Sequence, residues 1–256
     1  MKKITLFLFA FAILYSCSSD SDSEATPVNP EPGTPVNLKL ISTNIKSYYN
    51  NFDSEFNTTY TYTNNQLSGV LYNRVGSTTG GETAEYIYEN SLLVKIISRS
   101  PNESNLDDHT AIQTFTYSDG KIASSLEVDN SGTFNNVYAY NSEGRVINHK
   151  KYGSNGSVLS ELKYEYNADG NLSKRITITS SNTQSTEFND YDTKKNPLLI
   201  LFPKVYLNTS PYSKNNILSD GSITYEYEYN QYGYPAKVTE KMDNIVRMIT
   251  ILHYNM

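Results

Sequence analysis

A pair of aromatic residues two positions apart returns along most of this chain. Tyr-x-Tyr occurs at Tyr60/Tyr62, Tyr86/Tyr88, Tyr138/Tyr140, Tyr164/Tyr166 and Tyr227/Tyr229, with Phe115/Tyr117 as a variant. The second aromatics stand at 62, 88, 117, 140 and 166, and Tyr191, Tyr229 and Tyr254 continue the series. A recurrent period of a few tens of residues means that copies of one supersecondary unit build the chain. Whatever the fold, each unit must bury its aromatic face against its neighbours.

The residues after each pair repeat as well. Tyr140 is followed by Asn141-Ser142-Glu143-Gly144-Arg145-Val146, and Tyr166 by Asn167-Ala168-Asp169-Gly170-Asn171-Leu172. Tyr229 is followed by Asn230-Gln231-Tyr232-Gly233, and Tyr117 by the shorter Ser118-Asp119-Gly120-Lys121-Ile122. Aromatics at i and i+2 share one face of a strand. Asn or Asp opens a turn through its side chain, and Gly supplies the positive φ. Alternation then resumes: Leu172, Lys174, Ile176 and Ile178 fall on one face, as do Ile122, Ser124, Leu126 and Val128. The unit is strand, tight turn, strand.

This unit resembles the YD repeats of the RHS family, read roughly as Tyr-x-Tyr-Asp/Asn-x-x-Gly-Arg-Leu. Residues Tyr138 to Val146 match best and Tyr164 to Leu172 next. Over residues 55–254 the chain is similar to short YD-repeat-like lipoproteins of Bacteroidota, a resemblance that brings no activity with it. Asn stands for the Asp and one unit keeps Gly-Arg, and no toxin domain is expected. A toxin-enclosing role is therefore not implied.

The pattern predicts an all-β antiparallel meander of about fifteen strands. They fall near 38–47, 55–63, 66–75, 82–90, 92–99, 110–118, 121–129, 133–141, 145–153, 158–167, 171–180, 184–191, 222–230, 234–242 and 245–254. Strands joined by tight turns pair antiparallel, and open sheets rarely exceed ~10 strands without curling. A roll or barrel-like sheet is expected, with the Tyr-x-Tyr face inward, where rings pack and hydroxyls find partners. The longer step before Tyr229 marks an insertion at 193–220. It carries Leu198-Leu199-Ile200-Leu201-Phe202 between Pro197 and Pro203, apolar enough to demand cover. It reads as a plug for one end of the roll, or as a lid or partner-docking segment.

The first residues carry an address. Met1-Lys2-Lys3 precedes an apolar run from Ile4 to Tyr15, too short to span the ~30 Å of a bilayer core and suited to a signal peptide. Leu14-Tyr15-Ser16-Cys17 resembles the lipobox of bacterial lipoproteins. That resemblance implies cleavage after residue 16 and lipid on Cys17, the single cysteine. The acidic run Ser18 to Glu24 is similar to the export signal of Bacteroidota surface lipoproteins, and it also reads as a plain solvated linker. Pro27, Pro30, Pro32 and Pro35 make a stiff spacer. The expected organisation is a signal peptide at 1–16, lipidated Cys and tether at 17–36, and one repeat domain at 37–256. The expected location is the outer membrane, lipid-anchored and facing the cell surface or the periplasm.

Charge and composition narrow the function. A net charge of −6 argues against nucleic acid. One Cys rules out a disulfide framework or a cysteine zinc site. Charges at Lys150, Lys151, Lys174 and Arg175 fall on both strand faces, which argues against a lipid-facing barrel. There is no Gly-x-Ser-x-Gly elbow, P-loop or dinucleotide fingerprint, and no cofactor is expected. His109, His149 and His253 lack partners at metal-ligand spacing and read as ordinary sheet residues. Asp107-Asp108-His109 reads as a solvated loop, and Asp190-Tyr191-Asp192 lacks the surrounding calcium loop. Glu161, Glu165, Glu226 and Glu228 alternate with tyrosines and read as the wet face.

Two functions remain in front. One is a non-enzymatic scaffold or adhesion module, tied to outer-membrane lipid through the Cys17 acyl group. The other is a module that binds glycan or peptide, with Tyr138, Tyr140, Tyr164, Tyr166, Tyr227 and Tyr229 as its face. A polysaccharide or an envelope protein would be the partner. An envelope hydrolase stands behind both, since no carboxylate pair is singled out.

Overall fold

A computed structural model describes residues 37–49, 52–77, 80–100 and 109–255. Cys17 and its flanking segments, and Asp107-Asp108, lie outside the described residues. Twelve strands follow from the N-terminal side: β1 Leu40–Tyr49, β2 Phe52–Thr63, β3 Gln66–Arg74, β4 Glu82–Glu89, β5 Leu92–Ser100, β6 His109–Ser118, β7 Lys121–Asp129, β8 Gly132–Tyr140, β9 Val146–Tyr152, β10 Val158–Tyr166, β11 Leu172–Thr179 and β12 Thr183–Glu187. The insertion supplies β13 Tyr191–Lys195, α1 Leu198–Leu201, α2 Lys204–Leu207, β14 Asn215–Ile217 and β15 Ser219–Asp220. The chain closes with β16 Ile223–Tyr229, β17 Pro235–Met242 and β18 Ile245–Tyr254. No described helix is long and apolar enough to cross a membrane.

Sixteen strands form one antiparallel sheet, running from β12 back to β1 and then through β18, β17, β16 and β15. Each expected strand is present. The structure adds β13, β14 and β15, and ends β12 at Glu187 rather than at Tyr191. The meander is spliced at its termini, because β1 pairs with β18 over Leu40↔Tyr254 to Ser47↔Met248. The two edges are therefore β12 and β15, on either side of the insertion, and the sheet is not closed. β12, with the sequence TQSTE, is short and largely exposed, a form of edge that resists pairing with further strands.

The turns follow their sequence. Asn64-Asn65, Asn90-Ser91, Asp119-Gly120 and Asp243-Asn244 hold positive φ at both positions, the primed turn that matches strand twist. The longer turns use Asn at their start. The Asn141 side chain accepts from the Arg145 amide at 2.9 Å, Asn167 from the Asn171 amide at 2.9 Å, and Asn230 from the Tyr234 amide at 3.1 Å. Gly144, Gly170 and Gly233 take the left-handed position in them.

Tyrosine hydroxyls explain the repeat. Tyr62 donates to the Leu40 carbonyl at 2.7 Å, Tyr88 to Leu67 at 2.8 Å, Tyr117 to Leu93 at 2.7 Å and Tyr140 to Ile122 at 2.6 Å. Tyr166 donates to Val146 at 2.8 Å, Tyr191 to Leu172 at 2.6 Å and Tyr254 to Pro235 at 2.8 Å. The register shifts by a residue beside Tyr62, Tyr88, Tyr117, Tyr140, Tyr166 and Tyr229, and such a bulge leaves part of the ladder unpaired. The hydroxyl of the next hairpin makes good that loss. The series changes at Tyr229, whose neighbour is the insertion: Tyr229 donates to the Asp192 carboxylate and Tyr227 to the Ile217 carbonyl.

The face that carries these tyrosines is the inner face. Leu40, Tyr60, Leu67, Val70, Tyr86, Leu93, Ile96, Phe115, Ile122, Tyr225, Val238 and Leu252 form one buried cluster with Leu201 of α1. Tyr206 of α2 meets Tyr86 and Phe115 edge-on, at 6.2 and 5.7 Å between ring centroids. The insertion is thus packed against the inner face. A second cluster, Val146, Tyr164, Leu172, Phe188 and Ile217, joins the other strands to the insertion, and Tyr138 packs against both.

The outer face carries ion pairs beside exposed apolar residues such as Ile112, Leu126 and Val137. Lys46 pairs with Glu55, Arg99 with Glu85, Lys150 with Glu161, Lys174 with Glu187 and Lys237 with Glu228, on five hairpins around the sheet. A charge turned to mid-bilayer lipid costs ~2–4 kcal/mol. Lys151 and Arg175 point the other way, onto the inner face, as the alternation requires.

Candidate functional site

Each hairpin returns from its turn with a buried residue: Leu67, Leu93, Ile122, Val146, Leu172 or Pro235. Three positions later the chain faces the first aromatic of its own hairpin or the equivalent residue. The pairs are Tyr60↔Val70, Tyr86↔Ile96, Phe115↔Ser125, Tyr138↔His149, Tyr164↔Arg175 and Tyr227↔Val238. Three of these positions hold an aliphatic side chain. The other three hold Ser, His and Arg, on consecutive hairpins. Polar groups at core positions cost stability unless partnered, so their clustering marks a place where the repeat departs from packing alone.

Ser125, His149 and their neighbours form one network on β6 to β9, while Arg175 stands apart on β11. Gln113 Nε2 donates to Ser125 Oγ at 2.9 Å, and Ser125 Oγ lies 3.2 Å from the Tyr138 hydroxyl. His149 stacks flat on Tyr138, with ring centroids 4.9 Å apart. Its Nε2 lies 2.9 Å from Asn136 Oδ1. Lys151 Nζ donates to Glu127 Oε2 at 3.0 Å and sits 4.1 Å from the centroid of the Phe134 ring. Asn136 Nδ2 approaches the same Glu127 oxygen at 3.4 Å. Ser125 and Asn136 are buried, at 1% and 3% exposure. The side chains of Glu127 and Lys151 keep 28% and 23% exposure, so solvent reaches the network there.

Burial sets the protonation of the site. Desolvation, then the Lys151 charge, hold the His149 imidazole below its ordinary value, against a smaller pull upward from Glu127. Burial pushes the Tyr138 phenol up to about 12 despite the Ser125 hydrogen bond. The site therefore presents an imidazole held toward its neutral form and a protonated phenol, beside Glu127, Lys151, two amides and the Ser125 hydroxyl. On β11, outside this set, the Arg175 guanidinium lies 5.7 Å from the Phe188 ring. This set can donate to and accept from several hydroxyls at once. Among the described residues no group of three or more His, Cys, Asp or Glu is placed to hold a metal ion.

The expected Tyr face divides. Tyr138 belongs to the network. Tyr164 is 5% exposed within the core, and the hydroxyls of Tyr140, Tyr166, Tyr227 and Tyr229 are engaged as described above. The glutamates separate too: Glu161, Glu226 and Glu228 face outward against Lys150, Lys241 and Lys237. Asp192 is a fold node, accepting from the Lys194 and Asn216 amides, both at 2.9 Å. Glu127, Asn136 and Ser125 were not singled out from sequence, and Lys151 and Arg175 only as charges on the strand faces. The signal was present in the repeat itself, in the residue type at one fixed position per unit.

No family model matches the chain, and no curated protein matches it. Among solved structures, the chain is similar to a porin-like protein from Bacteroides uniformis ATCC 8492. The TM-score is 0.58 at 13% identity, covering 88% of this chain and 99% of that one. A porin-like protein from Bacteroides vulgatus ATCC 8482 aligns over 85% of this chain and 99% of its own, at 13% identity and a TM-score of 0.49. At such identity the first likeness concerns the fold alone.

Proposed function

We propose that this chain is a non-enzymatic interaction domain of the cell envelope, held to the outer membrane by lipid on Cys17, and that it binds a polysaccharide segment at the inner-face network. The observation that carries this reading is the run of polar residues, Ser125, His149 and Arg175, at positions that are Val70, Ile96 and Val238 elsewhere in the sheet. Binding sites combine apolar walls with a few convergent polar groups. Here Phe134 and the Tyr138–His149 stack supply the wall, and Glu127, Asn136, Gln113 and Lys151 supply the convergence. The rows of Tyr-x-Tyr serve the scaffold, and the ion-paired outer face keeps the domain in water beside the membrane. No nucleic acid is involved, since the acidic balance and the paired outer lysines offer no basic stripe.

A glycan array probed with the mature chain tests the reading, alongside a double variant Glu127→Gln/Lys151→Met. The expected result is a hit on one polysaccharide class that the variant loses while its circular dichroism stays unchanged. Blank arrays with folded protein, or a hit that the variant retains, would overturn it.

A further inference from the structure

A second site lies apart from the network, among the turns that end β8 and β10. Arg145 is 7% exposed. Its guanidinium rests on the Tyr166 ring, 4.5 Å from the centroid, and Nη2 pairs with Glu143. Nε and Nη1 are buried and have no hydrogen-bond partner. A ring face does not satisfy the in-plane N–H groups of a guanidinium, which seek oxygen acceptors.

A second cation converges on the same point. A Cβ built on Gly170 would lie 2.9 Å from Arg145 Nη1 and 2.8 Å from Lys214 Cε. Gly144, in the adjacent turn, would place a Cβ 3.8 Å from Lys121 Cε and 3.7 Å from Asn208 Nδ2. Both glycines have positive φ, and Lys214 and Arg145 together occupy the space that a side chain on Gly170 would take. Glu143 is the carboxylate paired to Arg145, and its side chain is 65% exposed. Asp169 stands exposed in the Gly170 turn. Burial raises the nearby Tyr212 phenol, with smaller opposed effects from the Arg145 and Glu143 charges.

We propose that Arg145 and Lys214, with Lys121 at the rim, form an oxyanion site that takes a phosphate or carboxylate group of a ligand. A guanidinium kept dry with free N–H groups, and an exposed lysine drawn beside it against like-charge repulsion, are the two halves of such a site. The acidic group of a polysaccharide and a lipid headgroup share this chemistry.

The test follows the arginine Nε–H resonances of the full mature chain by NMR. The probes are inorganic phosphate and glucuronate, with chloride at matched ionic strength as control. A saturable shift of the Arg145 signal, assigned by the resonance that Arg145→Lys removes, is expected with at least one of them and is weakened about fivefold in Lys214→Ala. Saturation by phosphate alone assigns a phosphoryl ligand, and saturation by both admits carboxylates. A shift no larger than that with chloride, or an affinity unchanged in Lys214→Ala, would overturn the proposal. Because Lys214 is exposed, its replacement leaves the fold intact.

Discussion

The Tyr88 hydroxyl donates to the Leu67 carbonyl at 2.8 Å, and Leu67 itself is only 1% exposed. The bond links two strands that are neighbours in the sheet but belong to successive hairpins. It reaches a carbonyl at the start of β3, beside the bulge where Tyr62 faces Leu67. The same relation recurs from hairpin to hairpin, so the second aromatic of each pair is Tyr for its oxygen as much as for its ring.

Replacing Tyr88 by Phe keeps the ring and orphans the Leu67 carbonyl. Losing one partner of a buried hydrogen bond costs about 1–3 kcal/mol. Tyr88→Phe is expected to lower stability by that amount in urea unfolding. Tyr48→Phe, at a 37% exposed ring, is expected to change it by less than about 0.5 kcal/mol.

Alkali should unfold the domain sharply. Burial pushes the Tyr60 phenol from 10.0 up to about 12 and holds Tyr86 well above its ordinary value. Below pH 10 these phenols are protonated in both the folded and the unfolded chain, and stability does not depend on them. Above pH 10 the unfolded chain ionises while the buried phenols stay neutral. Stability then falls by about 1.4 kcal/mol per pH unit for each such tyrosine. Phenolate absorbance and loss of circular dichroism should rise together between pH 10 and 12. Ionisation of the full tyrosine complement with the sheet intact would contradict this.

Lys151 depresses His149, so Lys151→Met is expected to raise the imidazole pKa. The change removes a repelling charge and leaves Glu127, which favours the protonated ring. An NMR titration of the His149 ring protons reads this directly. A pKa unchanged or lowered would show that Lys151 does not act on the ring.

Much of the fold was legible because hairpins are local. The turn residues Asn141 and Gly144, and the alternation around Tyr138 and Tyr140, predict strand and register without reference to the rest of the chain. What joins distant segments was not. The pairing of β1 with β18 depends on where the sheet curls back. The strands β13 to β15 are too short to carry a period, and Asp192 shows its role only once Asn216 and Tyr229 are beside it. The network was half legible. Ser125, His149 and Arg175 occupy one repeat position, yet alternation alone cannot separate an inner polar residue from an outer one such as Lys150. The Tyr-x-Tyr rows drew the eye because they are regular, and that regularity is the mark of packing.

The central claim is that the polar residues at the third position serve binding rather than the fold, and Arg175→Ile tests it most directly. Arg175 Nε is buried without a hydrogen-bond partner, and Tyr164 across from it is packed in the core. An aliphatic residue there restores the Val70, Ile96 and Val238 pattern and removes a buried, unpartnered Nε–H, whose burial costs about 1–3 kcal/mol. Urea unfolding and the glycan array are measured on the same variant. The account predicts stability equal to or above that of the parent, with the polysaccharide signal reduced. A variant that loses stability by more than about 1 kcal/mol and keeps its binding would show that Arg175 belongs to the scaffold.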